Sequence, residues 1–285
     1  MSQENISAQT LGAHRAGLVC CCIFRLEWSN AFCIALIAGT RRLRYADELV
    51  TRGFLIRLET GLRYGDRYIY ILSALGRELA QFELDNFGDL IPTRSPYTVT
   101  EHQRVAVTHN IHNMAALEIL LKLAGNMLDW LTLWRSEPEE QHSQDESSAA
   151  DLVENFLKTP DRESKYDYTR LHEIENNQKT GARLLYWLRL RIERLLELGE
   201  GRGCCIIWCT SNAIFESYQD ALESPLPGFH PSNSGKPTLD QSKPFVRAEP
   251  WMFLFFKLER DERGSLHPRD EDIATLKAQV PNAPA

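Results

Sequence analysis

The sequence predicts a two-domain α/β (α+β) protein: a small N-terminal domain of helices and one β-hairpin, then a larger domain in which helices alternate with strands. Three observations carry this expectation. Helical patterning over residues 15–52 gives way to two short apolar runs around the turn-rich segment 60–66. Residues 83–100, with Gly88, Pro92 and Pro96, interrupt every periodic pattern as a linker does. Beyond them, 204–210 and 251–256 are continuous apolar runs of strand length, and the amphipathic stretch 179–198 precedes the first.

Composition narrows the function. Hydrophobic content of 43% and charge of 25% are those of a soluble globular chain, and 285 residues allow one large or two ordinary domains. A net charge of -7 excludes a protein coated uniformly in nucleic acid but leaves room for a local basic face. Residues 15–67 supply one, with nine Arg against five acids, and the first 104 residues contain twelve Arg and no Lys. The forked guanidinium suits phosphate and guanine. The seven cysteines fall in two apolar clusters without the paired spacing of a zinc module, so they read as reduced core thiols. The apolar run 16–24 is too short to span a membrane and lacks the basic flank of a signal peptide. A cytoplasmic protein with no membrane insertion is expected.

Taken in order, residues 1–15 form a flexible N-terminus, and 16–82 the first domain. Helices are expected over 15–28 and 29–38, the second capped by Ser29-Asn30. Thr40 is a good N-cap for a third helix starting at Arg41 and ending at Gly53. Its stripe of Leu43, Ala46, Leu49 and Val50 would leave Arg41, Arg42, Arg44 and Tyr45 on the other side. A hairpin over 54–59 and 67–72 carries Arg57, Arg63 and Arg67, and a helix over 73–82 closes the unit. This is the order of a winged helix-turn-helix, whose third helix enters the major groove and whose wing touches the backbone. Winged helices also serve as protein-docking modules; the arginines favour DNA, with Arg41, Arg42, Arg44, Tyr45, Arg57, Arg63 and Arg67 as contacts.

The second domain is expected over 101–259. It opens with a helix over 101–123 bearing His109, His112 and Asn113; two His three residues apart share a face and could meet a metal or a phosphate. A strand over 128–135 runs up to Glu137, and the acidic, Ser- and Gln-rich stretch 138–150 reads as a disordered insertion. A short helix over 151–158, a strand over 168–175, the helix 179–198, a buried strand over 204–210 and a helix over 213–222 follow. A long loop over 224–249 leads to an apolar strand over 250–259 at a sheet edge, and 260–285 reads as a loose tail.

The candidate chemistry lies at Asp161 and at Glu173 and Glu175. Alternation along a strand places the two glutamates on one face. With Asp161 they give three carboxylates within fifteen residues, the hard oxygen donors that Mg²⁺ or Mn²⁺ takes. Lys179 follows, where a cation could meet phosphate. On residue types alone, acids at a strand end are more often simply solvated.

The order helix, strand, carboxylate turn, strand with Glu-x-Glu, helix, strand, helix resembles the PD-(D/E)xK restriction-endonuclease-like core. Pro160-Asp161 matches its first acidic motif and Glu173 its second; Glu175 stands where the lysine belongs, so Lys179 would act from the next helix. Together with the winged helix and the string from His172 to Lys179, residues 16–222 resemble the plasmid replication-relaxation family, which includes MobC-type mobilisation relaxases. The resemblance implies a protein that nicks one DNA strand at a transfer origin. Asp161, Glu173 and Glu175 would hold Mg²⁺ or Mn²⁺, with Lys179 catalytic beside them. Glu137, His109, His112, Asn113 and Arg183 would lie around that centre. The implied partners are plasmid or mobile-element DNA, other transfer-complex proteins and a coupling protein, with a homodimer allowed. The nucleophile stays open between a tyrosine, such as Tyr166 or Tyr168, and water. Two alternatives stand beside this: a non-catalytic DNA-binding accessory or regulator with a degenerate nuclease core, and a metal-dependent nuclease of defence or repair.

Overall fold

A computed structural model describes residues 8–26, 28–59, 67–85, 115–116, 118–123, 134–136, 150–157, 166–175, 178–230, 237–262 and 266–279. The fold is mixed α/β and divides into two compact units, one within 1–132 with 261–265, the other within 133–260 with 266–285.

In the first unit, α1 (Ala8–Leu26) begins well before the expected residue 15. Ala16, Val19, Cys20 and Ile23 recur at helical spacing and are buried, which gives the helix its inward stripe. Helix α2 (Ala31–Ile37) starts where Asn30 caps it, its side-chain oxygen accepting from Cys33 N at 2.8 Å. The third helix departs from expectation. Thr40 Oγ1 accepts from Arg42 N at 3.2 Å and leads a turn rather than a helix, so α3 spans only Tyr45–Thr51 and Arg41, Arg42 and Arg44 precede it. Strands β1 (Leu55–Glu59) and β2 (Tyr68–Leu72) pair antiparallel with Leu55 opposite Leu72. Ser29 joins this hairpin through an antiparallel bridge to Tyr70, with backbone bonds of 3.0 and 2.8 Å. Helix α4 (Ala74–Asp85) crosses the hairpin's base, where a Cβ on Gly76 would lie 2.1 Å from the Phe54 carbonyl oxygen; only glycine fits. Trp28, Cys33, Leu58, Ile69 and Ile71 make the core between helices and hairpin.

The second unit is built on a six-stranded sheet. Strands β3 (Trp134–Ser136), β4 (Leu152–Leu157) and β5 (Tyr166–Glu175) form an antiparallel meander. Helix α5 (Gly181–Leu198) then crosses to β6 (Gly203–Cys209), parallel to β5. Helix α6 (Asn212–Leu222), capped by Ser211 Oγ on Ile214 N at 3.2 Å, follows. A small hairpin, β7 (Phe229–His230) and β8 (Thr238–Leu239), precedes β9 (Phe253–Arg260), which lies parallel to β6. The sheet order is β10-β9-β6-β5-β4-β3, with β10 (Leu266–Pro268) followed by α7 (Asp270–Ala278). Leu184, Leu188, Ile192 and Leu195 of α5 pack on Leu171, Cys205, Ile207 and Cys209 to form the main core.

Three expectations are corrected here. Residues 152–157 are a strand, not a helix: β4 pairs on both sides, and Leu152, Val153, Glu154 and Asn155 are all buried, which erases the period-two signal. The tail is not loose after 260, because β10 and α7 are ordered and Leu266, Ile273 and Leu276 are buried. The apolar strand β9 is not the sheet edge; β10 lies outside it. The cysteines of both clusters are free and buried, and no described helix is long and apolar enough to cross a membrane.

Candidate functional site

Strand β5 alternates between two environments. Leu171, Glu173 and Glu175 face the α5 side, as Leu171 packing and the glutamates' partners show; Arg170 and His172 face the other. Glu173 and Glu175 therefore share a face as expected, but they are only 4% and 2% exposed. Glu173 pairs with Arg191 of α5, and Glu175 pairs with Lys179. The buried Tyr218 hydroxyl of α6 lies in the electrostatic neighbourhood of the Glu175 carboxylate. Asp151, one residue before β4, accepts from Ile174 N through Oδ2 at 2.6 Å and adds negative charge near both glutamates. Trp187 closes the cluster: the Lys179 ammonium lies 4.7 Å and the Arg191 guanidinium 5.2 Å from its ring centre, and its edge contacts Tyr218.

Burial dominates the electrostatics. Desolvation pushes the Glu173 carboxyl up to about 8 against the downward pull of Arg191, with Asp151 and Glu175 adding to the rise. Glu175 is raised by burial too, Lys179 opposing. Tyr218 is raised by burial and by the neighbouring Glu175, which keeps its hydroxyl protonated. The arrangement is a compensated cluster of three carboxylates and two cations inside the protein.

That geometry bears on the metal expected from sequence. Among the described residues no three His, Cys, Asp or Glu side chains form a group that could hold a metal ion. One oxygen of Glu173 meets Arg191, one of Glu175 meets Lys179, and Asp151 directs one at a backbone amide. The described carboxylates do not fit a Mg²⁺ or Mn²⁺ centre. Asp161, Glu137, His109, His112, Asn113 and Arg63 lie outside the described residues. Arg183 is exposed on the first turn of α5. Sequence reasoning missed Asp151, Arg191 and Tyr218. Arg191 was findable: it falls at helical spacing with Leu184, Leu188 and Leu195, and a charge inside an apolar stripe demands a buried partner. Asp151 was hidden because 151–158 reads as a helix.

The opposite face of β5 holds a second buried polar network. Arg170 Nη2 donates to the carbonyls of Leu276 and Gln279 at 3.1 and 3.0 Å, capping the end of α7, and Nη1 reaches Glu154 Oε2 at 3.3 Å. His172 Nε2 lies 3.4 Å from the same carboxylate oxygen, while Trp208 Nε1 donates to His172 Nδ1 at 3.2 Å. This face anchors the C-terminal helix to the sheet.

Arg41, Arg42, Arg44, Arg57 and Arg67 of the first unit lie in solvent. Arg41, Arg42 and Arg44 are exposed ahead of α3; Arg42 pairs with Glu48, and Arg44 Nε is 3.6 Å from the same carboxylate. Arg57 reaches Asp47 at 3.0 Å and Arg67 reaches Glu59 at 3.0 Å, with both guanidiniums over the Tyr68 ring at 4.6 and 5.1 Å. Tyr45 is different. Its hydroxyl is buried, so it is not a surface contact of the kind expected. Comparison with family models, with curated proteins and with solved structures finds no match.

Proposed function

We propose that this chain is a DNA-binding accessory protein, with a winged helix-turn-helix in its first unit and a PD-(D/E)xK-like scaffold, used for docking rather than cleavage, in its second. The observation that carries the DNA reading is the run α1, Ser29 bridge, α2, α3, β1, β2, in which Ser29 adds a third segment to the hairpin and three exposed arginines lead into α3. For the second unit, the support is the meander β3-β4-β5, the crossover α5 and the parallel β6. The non-catalytic assignment rests on Glu173 and Glu175 being engaged by Arg191 and Lys179. In this reading Arg41, Arg42, Arg44, Arg57 and Arg67 meet phosphate. The acids Asp47, Glu48 and Glu59 hold the guanidiniums of Arg42, Arg44, Arg57 and Arg67 in place until DNA competes for them.

Metal-dependent nicking at a plasmid transfer origin is the second reading. One observation favours it: Asp151 brings a third carboxylate to the Glu173 and Glu175 end of the sheet, with Lys179 beside them. The test is supercoiled plasmid carrying the protein's native neighbouring DNA, incubated with Mg²⁺, Mn²⁺ or chelator, for wild type and Glu173→Gln. Specific binding without open circles in any condition is the expected result. Open circles that require metal and vanish in the variant would replace the accessory reading with the relaxase.

A further inference from the structure

Strand β9 spans Phe253–Arg260, but β10 covers its outer side only along 258–260. The direction in which the remaining backbone groups point follows from the parallel pairing with β6. Cys205 stands opposite Phe253 and its N–H donates to the Met252 carbonyl at 2.7 Å. Met252, Leu254 and Phe256 therefore turn their N–H and C=O groups to β6, and Phe253, Phe255 and Lys257 turn theirs outward. Glu259, next in that alternation, meets His267 of β10. Among the described residues no strand lies opposite the other three.

That open stretch is apolar and half-buried over 253–256, with rings on both faces of the sheet. Phe255 meets Phe215 of α6 edge-on with centroids 5.6 Å apart, and Phe256 lies 5.3 Å from Trp208. A row of outward N–H and C=O groups in apolar surroundings is matched by another extended backbone. Because rings flank the open side above and below, the strand that pairs there must be apolar on both of its own faces. Residues 253–256 are themselves such a run. Paired antiparallel about Leu254, two copies set Phe253 of each opposite Phe255 of the other, and each of these pairs exchanges both backbone hydrogen bonds. Lys257 falls outside the paired segment, so no like charges face one another. The pairing also stops short of Pro268, where β10 ends. Met252 N bonds to the Glu249 carbonyl at 2.9 Å, so the chain turns off the strand line before it would meet the second copy's β10.

We propose that the open side of β9 over 253–256 is a dimer interface, taking the same segment of a second copy so that the two sheets join across a two-fold axis. This gives the docking role of the second unit its partner and rests on that reading for its purpose only; the pairing rests on backbone geometry. The full chain is followed by sedimentation equilibrium and by amide exchange read residue by residue. Wild type is expected to dimerise with the Phe253 and Phe255 amides protected, and to lose that protection on dilution to monomer, while Leu254 and Phe256, bonded to β6, keep theirs. Phe253→Pro removes an outward donor at the first residue of the strand, where proline fits. The two bonds lost per dimer should raise the dissociation constant about 5- to 150-fold. Phe253→Leu trims the ring, keeps the N–H and should weaken the dimer less. Equal weakening by the two variants overturns the strand pairing, as does a dimer whose Phe253 and Phe255 amides exchange as they do in the monomer. A wild type that stays monomeric overturns it too, in favour of a different chain or a segment of this one along β9. Duplex binding measured on the same samples separates the two readings: a monomer that binds duplex removes the dimer alone, and a dimer that binds none removes the DNA reading alone.

Discussion

Arg42 of the first unit and Arg191 of the second each pair with a glutamate, but the first pair is 54% and 40% exposed and the second 2% and 5%. In water, such a pair contributes about 0–1 kcal/mol, and the arginine can trade its partner for a phosphate at little cost. Inside the protein, each charge has given up its hydration, and either one left alone is expensive. The same chemistry therefore leaves Arg42 available for recognition and commits Arg191 to the fold.

The widest test of that contrast is Glu173→Met, expected to destabilise the second unit by about 3–5 kcal/mol in urea unfolding because it strands the buried Arg191 guanidinium; Arg191→Met, which leaves a carboxyl able to take up a proton, should cost less. The double variant Glu173→Met with Arg191→Met removes both charges and should recover most of the loss. Additive single effects would show that the two residues do not act as a pair. Next in size is Arg170→Met, which removes charged hydrogen bonds to the carbonyls of Leu276 and Gln279 worth about 1.5–3 kcal/mol. Amide exchange should quicken over 270–279 first; uniform exchange across the sheet would contradict the anchoring of α7.

The pH dependence gives a smaller and signed effect. Trp208 N–H donates to His172 Nδ1, which leaves Nε2–H for Glu154 and holds the ring neutral; burial lowers its pKa below the ordinary 6.5. Below about pH 6.5 the unfolded chain binds a proton that the folded chain refuses, so stability falls by up to about 1.4 kcal/mol per pH unit. His172→Leu should flatten that acid limb. Glu173, held at about 8, works in the other direction: its contribution is complete below about 4.5 and is lost as pH rises through 8. An acid limb unchanged in His172→Leu would contradict the neutral, buried ring.

Legibility in the sequence followed how cleanly burial imprinted a period. Helix α5 and strand β6 were readable because one is apolar on a single stripe and the other on both faces. Strand β4 was not, since a central strand of mixed polarity has no alternation to show, and the buried Glu154 and Asn155 look like surface residues. The shared face of Glu173 and Glu175 follows from strand geometry alone. Their neighbours do not, because Arg191 and Tyr218 arrive through the crossover and the packing of α6. Thr40 was a misplaced cap for a local reason: its hydroxyl serves the nearby turn, which leaves the arginines ahead of α3 instead of on it.

The smallest expected effect on stability accompanies the largest expected effect on binding. Replacing Arg41, Arg42 and Arg44 together with Ala removes only solvent pairs and should leave unfolding within about 1 kcal/mol per pair of wild type. Duplex binding, followed by anisotropy as salt is raised, should weaken, and the slope of log affinity on log salt should fall by about 0.9 for each arginine that meets a phosphate. A triple variant that binds duplex with the wild-type affinity and salt slope would contradict the assignment of this face to DNA.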